Sequence, residues 1–582
     1  MHPDTSLLQP SRPSERSRNY LGLALLASIA LTACAGKEAA KPEAQLVYTN
    51  ANILTVDQSN AQAEAVAIRD GKILAVGAAK DIAGFIGANT KVVDLQGKTM
   101  IPGIYDAHSH FAVAKLTGTF VADLNSPPIG TVRNISDIVT LLKAQQAKVG
   151  AKEWVSGSGY DDTLLAEKRH PTRADLDQIS ATQPIFLTHV SGHLAVANSA
   201  ALALAGITAS TPNPEGGVIR KNAKGEPDGV LEETALYLVA KIRPALTDAQ
   251  QREGIRLAGQ WYASHGVTTA NHGAATTPAL LKMLDETALA GKLPIRVVTW
   301  SGFDTMDAVD KVKLSSGKIK VGGVKEFSDG SIQGYTGYLG EHYHTPFHGD
   351  THYRGFPRFT REDLAARVLK VHESGRQIMI HANGDAAIDD VLYAYRKAQE
   401  ASPRKDARQV LIHSQMMRED QLDEVKRLAA IPSFFVLHTY YWGDRHRDIF
   451  IGPDRASRIS PARSAKERGL VYTIHTDTPI VPMEPMRLIW SAVNRATTSG
   501  VVLGAEQRIP VADALRATTI NAAYQNFEEK ERGSIEVGKY ADMVVLSDNL
   551  AKVDPMAIKD IKVLETIVEG QSVYQAGSLI EA

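Results

Sequence analysis

The chain has 582 residues, 44% apolar and 22% charged, with 64 basic against 65 acidic side chains. That length exceeds one simple core, so a large barrel-type domain plus a smaller one is expected, and a formal net charge of -1 leaves no basic field to hold nucleic acid. The single cysteine, Cys34, excludes an intrachain disulfide and turns any metal site toward His, carboxylate or Lys donors.

In chain order, the first feature is a targeting segment. Arg12, Arg16 and Arg18 precede an uncharged run from Leu21 to Ala33, too short to span a bilayer comfortably and suited to a signal h-region. The ending Leu31-Thr32-Ala33-Cys34 resembles the lipobox of bacterial lipoproteins. That implies a signal peptide over 1–33, cleavage before Cys34 and a lipid chain on its sulfur. Ala35 comes next, where an aspartate retention signal is missing. The expectation is therefore a lipid-anchored protein of the cell envelope, at the outer membrane and facing the periplasm, with 34–45 as a polar tether.

Residues 46–104 read as strands, and Asp70-Gly71 between two alternating runs marks a hairpin turn. The far end, in ADMVVLSD and VLETIVEGQSVYQAG, has the same texture. Both chain ends, 46–104 and 506–582 (the latter opening on a helix), are expected to build one small β-sandwich. Between them, over 105–505, helical patterns such as LTDAQQREGIRLAGQWYASHG and TREDLAARVLKVHESG alternate with short apolar runs. Those runs are PIFLTHV, PIRVVTW, KVGGVKEF, QIMIHA, QVLIHS and LVYTIHTD. The alternation predicts an α/β fold, a distorted TIM (β/α)8 barrel, with inserted structure over about 112–260.

Chemistry in such barrels sits where strands end. The stretch IPGIYDAHSH closes an apolar run with His108 and His110, and Pro102-Gly103 before it excludes a helix. In a strand, side chains at i and i+2 share a face, so both imidazoles can grip one ion. Lys325, His381, His413 and Asp477 each end or interrupt a later apolar run. A lone His-x-His is usually accidental; the recurrence at successive strand ends is what carries weight.

With PGIYDAHSH, the stretches SGHLAVANSAAL, GVTTANHG, VKEFSDGS, HANGDAAID, IHSQ, HTDTP and GSIEVGKYADMVVL make the chain resemble the amidohydrolase superfamily. Within it, the YtcJ-like branch that includes N-substituted formamide deformylases is the nearest likeness, over nearly everything after residue 45. The resemblance implies a divalent metal, zinc by preference, with one or two ions per subunit. It implies His108 and His110 as first-strand ligands, His381 and His413 on the fifth and sixth strands, and Asp477 on the eighth. Lys325 matches a lysine that many members carboxylate to bridge two metals.

The expected reaction is hydrolysis of a C–N bond in an amide, formamide or N-acyl compound by a metal-activated hydroxide. Asp477 would act as base and then acid. A lactonase, esterase or deaminase would share that step, and a non-catalytic binding lipoprotein is the reading from another class. His193, Asp329, Gln415 and Trp442 are candidate substrate contacts, with Tyr440, Tyr441 and Trp442 as an apolar wall. Asp385 is read either as support for His381 or as a helix cap. The partner is a small molecule, with membrane contact only through Cys34 and homo-oligomerisation left open.

Overall fold

The computed structural model describes residues 41–577 apart from Asn60. The signal segment and Cys34 therefore lie outside the described residues. From Glu43 onward the chain forms one compact unit. No described helix is long and apolar enough to cross a membrane.

Eight parallel strands form one curled sheet, and each pairs with its successor in sequence. They are β1 (Ile104–Tyr105), β2 (Val267–Thr276), β3 (Arg296–Gly302), β4 (Ile319–Phe327), β5 (Gln377–Ala382), β6 (Val410–His413), β7 (Ile431–Phe434) and β8 (Thr473–Ile474). Helices cover the outside, so these strands are buried on both faces and read as apolar runs; every residue of β5, β6 and β7 is buried. Helices Arg361–Glu373 and Asp385–Ala401 flank β5, the first capped by Thr360 Oγ1, which accepts from the Asp363 amide at 3.1 Å. The two edges of the sheet meet beyond their last residues. The Asp477 amide donates to the His108 carbonyl at 3.2 Å, and the His110 amide to the Thr478 carbonyl at 2.7 Å. An α/β TIM-like barrel is the result.

Two further sheets carry the chain ends. In one, Met543–Leu546 runs antiparallel to Thr99–Pro102, which pairs in parallel with Asn52–Leu54. In the other, Ala65–Arg69 and Lys72–Gly77 form the hairpin read from sequence, with Asp70 and Gly71 both at positive φ. Tyr48, Val66 and Ile68 of this sheet share a buried cluster with Ile53, Met100, Met543 and Ile567 of the first.

Between β1 and β2 the chain folds a third, six-stranded sheet spanning Ala122–Asp123 to Pro227–Glu233. The run PIFLTHV belongs here, as Ile185–His189, and not among the barrel strands it was grouped with. Periodicity cannot tell one buried parallel strand from another; its partners Val155–Tyr160 and Leu194–Ala197 decide the sheet. The sheet is tied to the barrel through Asp161, which accepts from Arg445 at 2.6 Å and from Trp442 Nε1 at 3.3 Å.

One buried ion pair locks the barrel to the terminal sheets. Arg296 on β3, 4% exposed, meets Asp542 and reaches Glu569 at 2.8 Å. Arg532 lies 3.8 Å from Asp542 and compensates it only in part. Arg296→Met is expected to lower unfolding free energy by about 3 kcal/mol, because it strands a buried carboxylate. Denaturant titration measures this, and an unchanged midpoint would refute the role.

Candidate active site

His108 and His110 lie just past β1, on a turn built by Asp106. Its carboxylate accepts from Ser109 Oγ and from the Asn271 and His108 amides, the latter two at 3.1 and 3.3 Å. Ser109 turns the opposite way from its neighbours and meets Tyr262 of helix Asp248–Ser264 at 2.9 Å. Both imidazoles still face the cavity, although the pair lies beyond the strand on which the i, i+2 spacing was expected to place it. Gly273 on β2 makes room: a Cβ there would run into the ring of His108.

Both Nε2 atoms face one oxygen of Asp477, at 3.3 Å from His108 and 3.2 Å from His110. His413 Nε2 lies 3.1 Å from His381 Nδ1, and the rings of His108 and His413 stand 5.7 Å apart. His108, His413 and Asp477 present atoms close enough together to hold one ion. Lys325 projects among them, with its Nζ 4.8 Å from the centre of the Phe327 ring. The barrel therefore brings all six strand-end groups to one mouth.

The electrostatics suit a cation. Burial keeps His108, His381 and His413 well below the usual histidine range, so their nitrogens are neutral lone-pair donors. Burial also lowers the Lys325 amine to about 7, against the pull of Asp477 and Glu326. Both ring nitrogens of His108, Lys325 Nζ and Asp477 Oδ1 are buried with no hydrogen-bond partner. Unpartnered buried polar atoms are rare and costly, and here they converge. The donor set fits a divalent ion: imidazole nitrogens, one carboxylate and one amine.

Three groups that support this cluster, His475, Ser433 and Glu233, are not among the candidates named from the sequence. His475 heads the stretch HTDTP, two positions before Asp477. It lies 3.1 Å from His413 Nδ1 and passes its other nitrogen to Ser433 Oγ at 3.0 Å. That chain leaves His413 Nε2 facing the centre. Glu233 pairs with His193 at 3.0 Å and has a backbone φ of 47° with ψ of -121°, a strained conformation for a glutamate. Asp477, His413 and Ser414 also have positive φ, so strain gathers around the cluster.

The softer candidates divide. His193 lines a cavity of about 520 Å³ that opens on His108, His110, Lys325, His381, His413 and Asp477. Asp329, expected to line the pocket, lies behind His381 instead. It accepts from the Asn383, Gly384 and Tyr338 amides, at 2.8 to 3.0 Å, and sits 3.6 Å from His381 Nε2. Gln415 is fully buried away from the cavity, with its amide 2.9 Å from His446 Nε2. Trp442 is no pocket wall either: HTYYWGDR is a helix, and its Trp442 is spent on Asp161. Asp385 is the first residue of helix Asp385–Ala401, which has no side-chain cap; its carboxylate accepts from the Gly340 amide at 2.8 Å and lies 3.4 Å from Arg418, so it ties a neighbouring loop to the helix and does not cap it. These departures share one cause: a sequence gives alternation along a strand, but not which loop covers its end.

The model of the amidohydrolase family matches residues 91–574. This chain belongs to the amidohydrolase family. The amidohydrolase is 28% identical over 550 residues to the N-substituted formamide deformylase of Arthrobacter pascens, across 91% of this chain and 98% of that one. It is 28% identical over 538 residues to the putative amidohydrolase YtcJ of Bacillus subtilis, across 90% and 98%. Both support the YtcJ-like branch. Among solved structures, an uncharacterized metal-dependent hydrolase from Pyrococcus horikoshii shares the fold, with a TM-score of 0.69 at 24% identity, over 88% of this chain and 99% of that one. Family membership and the site together support hydrolysis with a divalent metal.

Buried histidines also set the amidohydrolase's acid stability. Burial lowers His170, His272 and His438 from 6.5 to about 3. The unfolded chain binds these protons first, so their contribution is complete above pH 6.5 and declines as pH falls from 6.5 toward 3. Stability should drop on acidification by about 1.4 kcal/mol per pH unit for each such histidine. Denaturant midpoints at about pH 7 and pH 5 test this, with His438→Asn expected to lessen the slope by about one proton. A midpoint flat across that range would sink the account.

Proposed function

We propose that this amidohydrolase cleaves a C–N bond in an amide, formamide or N-acyl compound at a zinc site held by His108, His110, His381, His413 and Asp477. The observation that carries the reading is the convergence of buried, unpartnered His108, Lys325 and Asp477 atoms on one point at the barrel mouth. A divalent ion there would lower the pKa of a water molecule and polarise the scissile carbonyl. The neutral imidazoles would hold such an ion without a proton to lose, and His475 with Ser433 fixes the hydrogen bonding of His413 Nδ1. Asp477 Oδ1, free of hydrogen bonds, takes the proton of the attacking water and delivers it to the leaving nitrogen.

An amine lowered to about 7 is uncharged in a large fraction of molecules at neutral pH, and that is the form that adds carbon dioxide. Lys325 is therefore proposed to be carboxylated, and its carbamate would add an anionic oxygen to the groups able to hold a divalent metal. The deformylase name of one relative favours the formamide end of the range. We further place the chain at the cell envelope through a lipid on Cys34, and treat the two terminal sheets as one β-sandwich domain.

Metal analysis of the protein is expected to give one or two zinc ions per chain. Asp477→Ala should keep part of the metal while kcat falls at least ~10³-fold. Near-normal turnover in that variant would remove Asp477 from the chemistry. In a panel of N-substituted formamides, N-acyl amino acids and lactones, cleavage of lactones alone would overturn the C–N assignment.

A further inference from the structure

Arg358 lines the cavity together with Lys325, His381 and His193. Its guanidinium lies 5.1 Å from the centre of the Phe327 ring, the same ring that Lys325 Nζ approaches at 4.8 Å. Phe327 in turn sits 5.5 Å from the His381 ring. The Arg358 amide donates to the Ser328 carbonyl at 2.8 Å, which fastens this loop to the end of β4. The guanidinium is thus held beside the metal-binding groups by stacking and by backbone.

No carboxylate among the described residues lies within ion-pair reach of Arg358. Of the nearby acids, Asp329 is held by three backbone amides, and Glu233 gives Oε2 to His193 while its buried Oε1 makes no hydrogen bond and forms no ion pair with Arg358. The acids that face the cavity are Asp477, Glu233 and Asp123, and Asp123 Oδ1 is taken up by Asn125. A second cation, Lys115, lies over Trp261 at 4.7 Å on the cavity wall, also without a carboxylate partner among the described residues. A guanidinium fixed in place and left unpaired is suited to receive a carboxylate in bidentate fashion. Leu236, Val190 and Ile480 give the same cavity an apolar side.

The geometry points to a substrate that carries its own carboxylate, bound by Arg358, with an apolar side chain against Leu236, Val190 and Ile480: an N-acyl or N-formyl amino acid, or an amide of that build. This rests on the C–N hydrolase reading above and narrows it.

The test pairs N-formyl- and N-acetyl-derivatives of leucine and phenylalanine with their C-terminal carboxamides, which differ only in charge. On the zinc-loaded full chain, kcat/KM is expected to be at least about tenfold higher for the acids. In Arg358→Gln that preference should vanish through KM, with the carboxamides changed less than about threefold, and Arg358→Lys should restore part of it. Calorimetric binding of the same pairs to Asp477→Asn supplies a readout without turnover. Acids and carboxamides cleaved alike by the wild type, or an Arg358→Gln loss equal on both, overturns the proposal and leaves the hydrolase reading standing. Acid-selective, Arg358-dependent binding with no cleavage does the reverse. Binding that ignores both charge and Arg358 removes the subsite outright.

Discussion

His108 and His110 both face one oxygen of Asp477, across the seam where the first and eighth strands of the barrel meet. The backbone bonds that close the cylinder and the side chains that would hold a cation come from the same residues. Closure and site assembly are therefore one event. A parallel sheet makes this economical, because every strand points its C-terminal end to the same mouth. The arrangement also has a cost. Neutral imidazoles, an amine and a carboxylate are withdrawn from water with several of their atoms unpaired, and only a positive ion relieves all of them together.

Strain has the same geography. Positive φ at His413, Ser414 and Asp477 bends the chain sharply as it leaves β6 and β8, which turns side chains toward the axis that a continuing strand would carry past it. Glu233 shows the same feature at the end of the inserted sheet, where it holds His193 over the His381 ring. The cavity is thus walled by two sheets of the one compact unit. The barrel supplies the reactive groups. The insertion supplies one face of the pocket and is pinned to the barrel by Asp161 with Arg445 and Trp442. Substrate preference can then vary through the insertion and the loop bearing Arg358 without disturbing the strand ends.

Residues whose roles depend on position along a strand are legible in the sequence. His108 and His110 can be read from spacing alone, and Lys325, His381, His413 and Asp477 from their place at the ends of apolar runs. Residues whose roles depend on which segment lies opposite are not. Trp442 looks like a pocket aromatic in sequence, yet its indole is buried on Asp161, 281 positions away along the chain. Gln415 shares a strand face with His413 by count, but the turn after β6 at positive φ breaks that alternation and sends it to His446. Glu233 and Arg358 lack any local signature, and His475, though it heads HTDTP, matters through His413 and Ser433, which are distant in sequence.

By itself, then, the amino-acid order determined the parallel α/β class, the spacing of the six strand-end groups and the likeness to amidohydrolases, because periodicity and short-range geometry are local properties. Tertiary structure alone decided which groups support His381 and His413, which sheet PIFLTHV joins, and which cation is left facing the cavity unneutralised. Those outcomes depend on long-range packing, where two segments compete for the same neighbour and the winner leaves no trace in either segment's own residues.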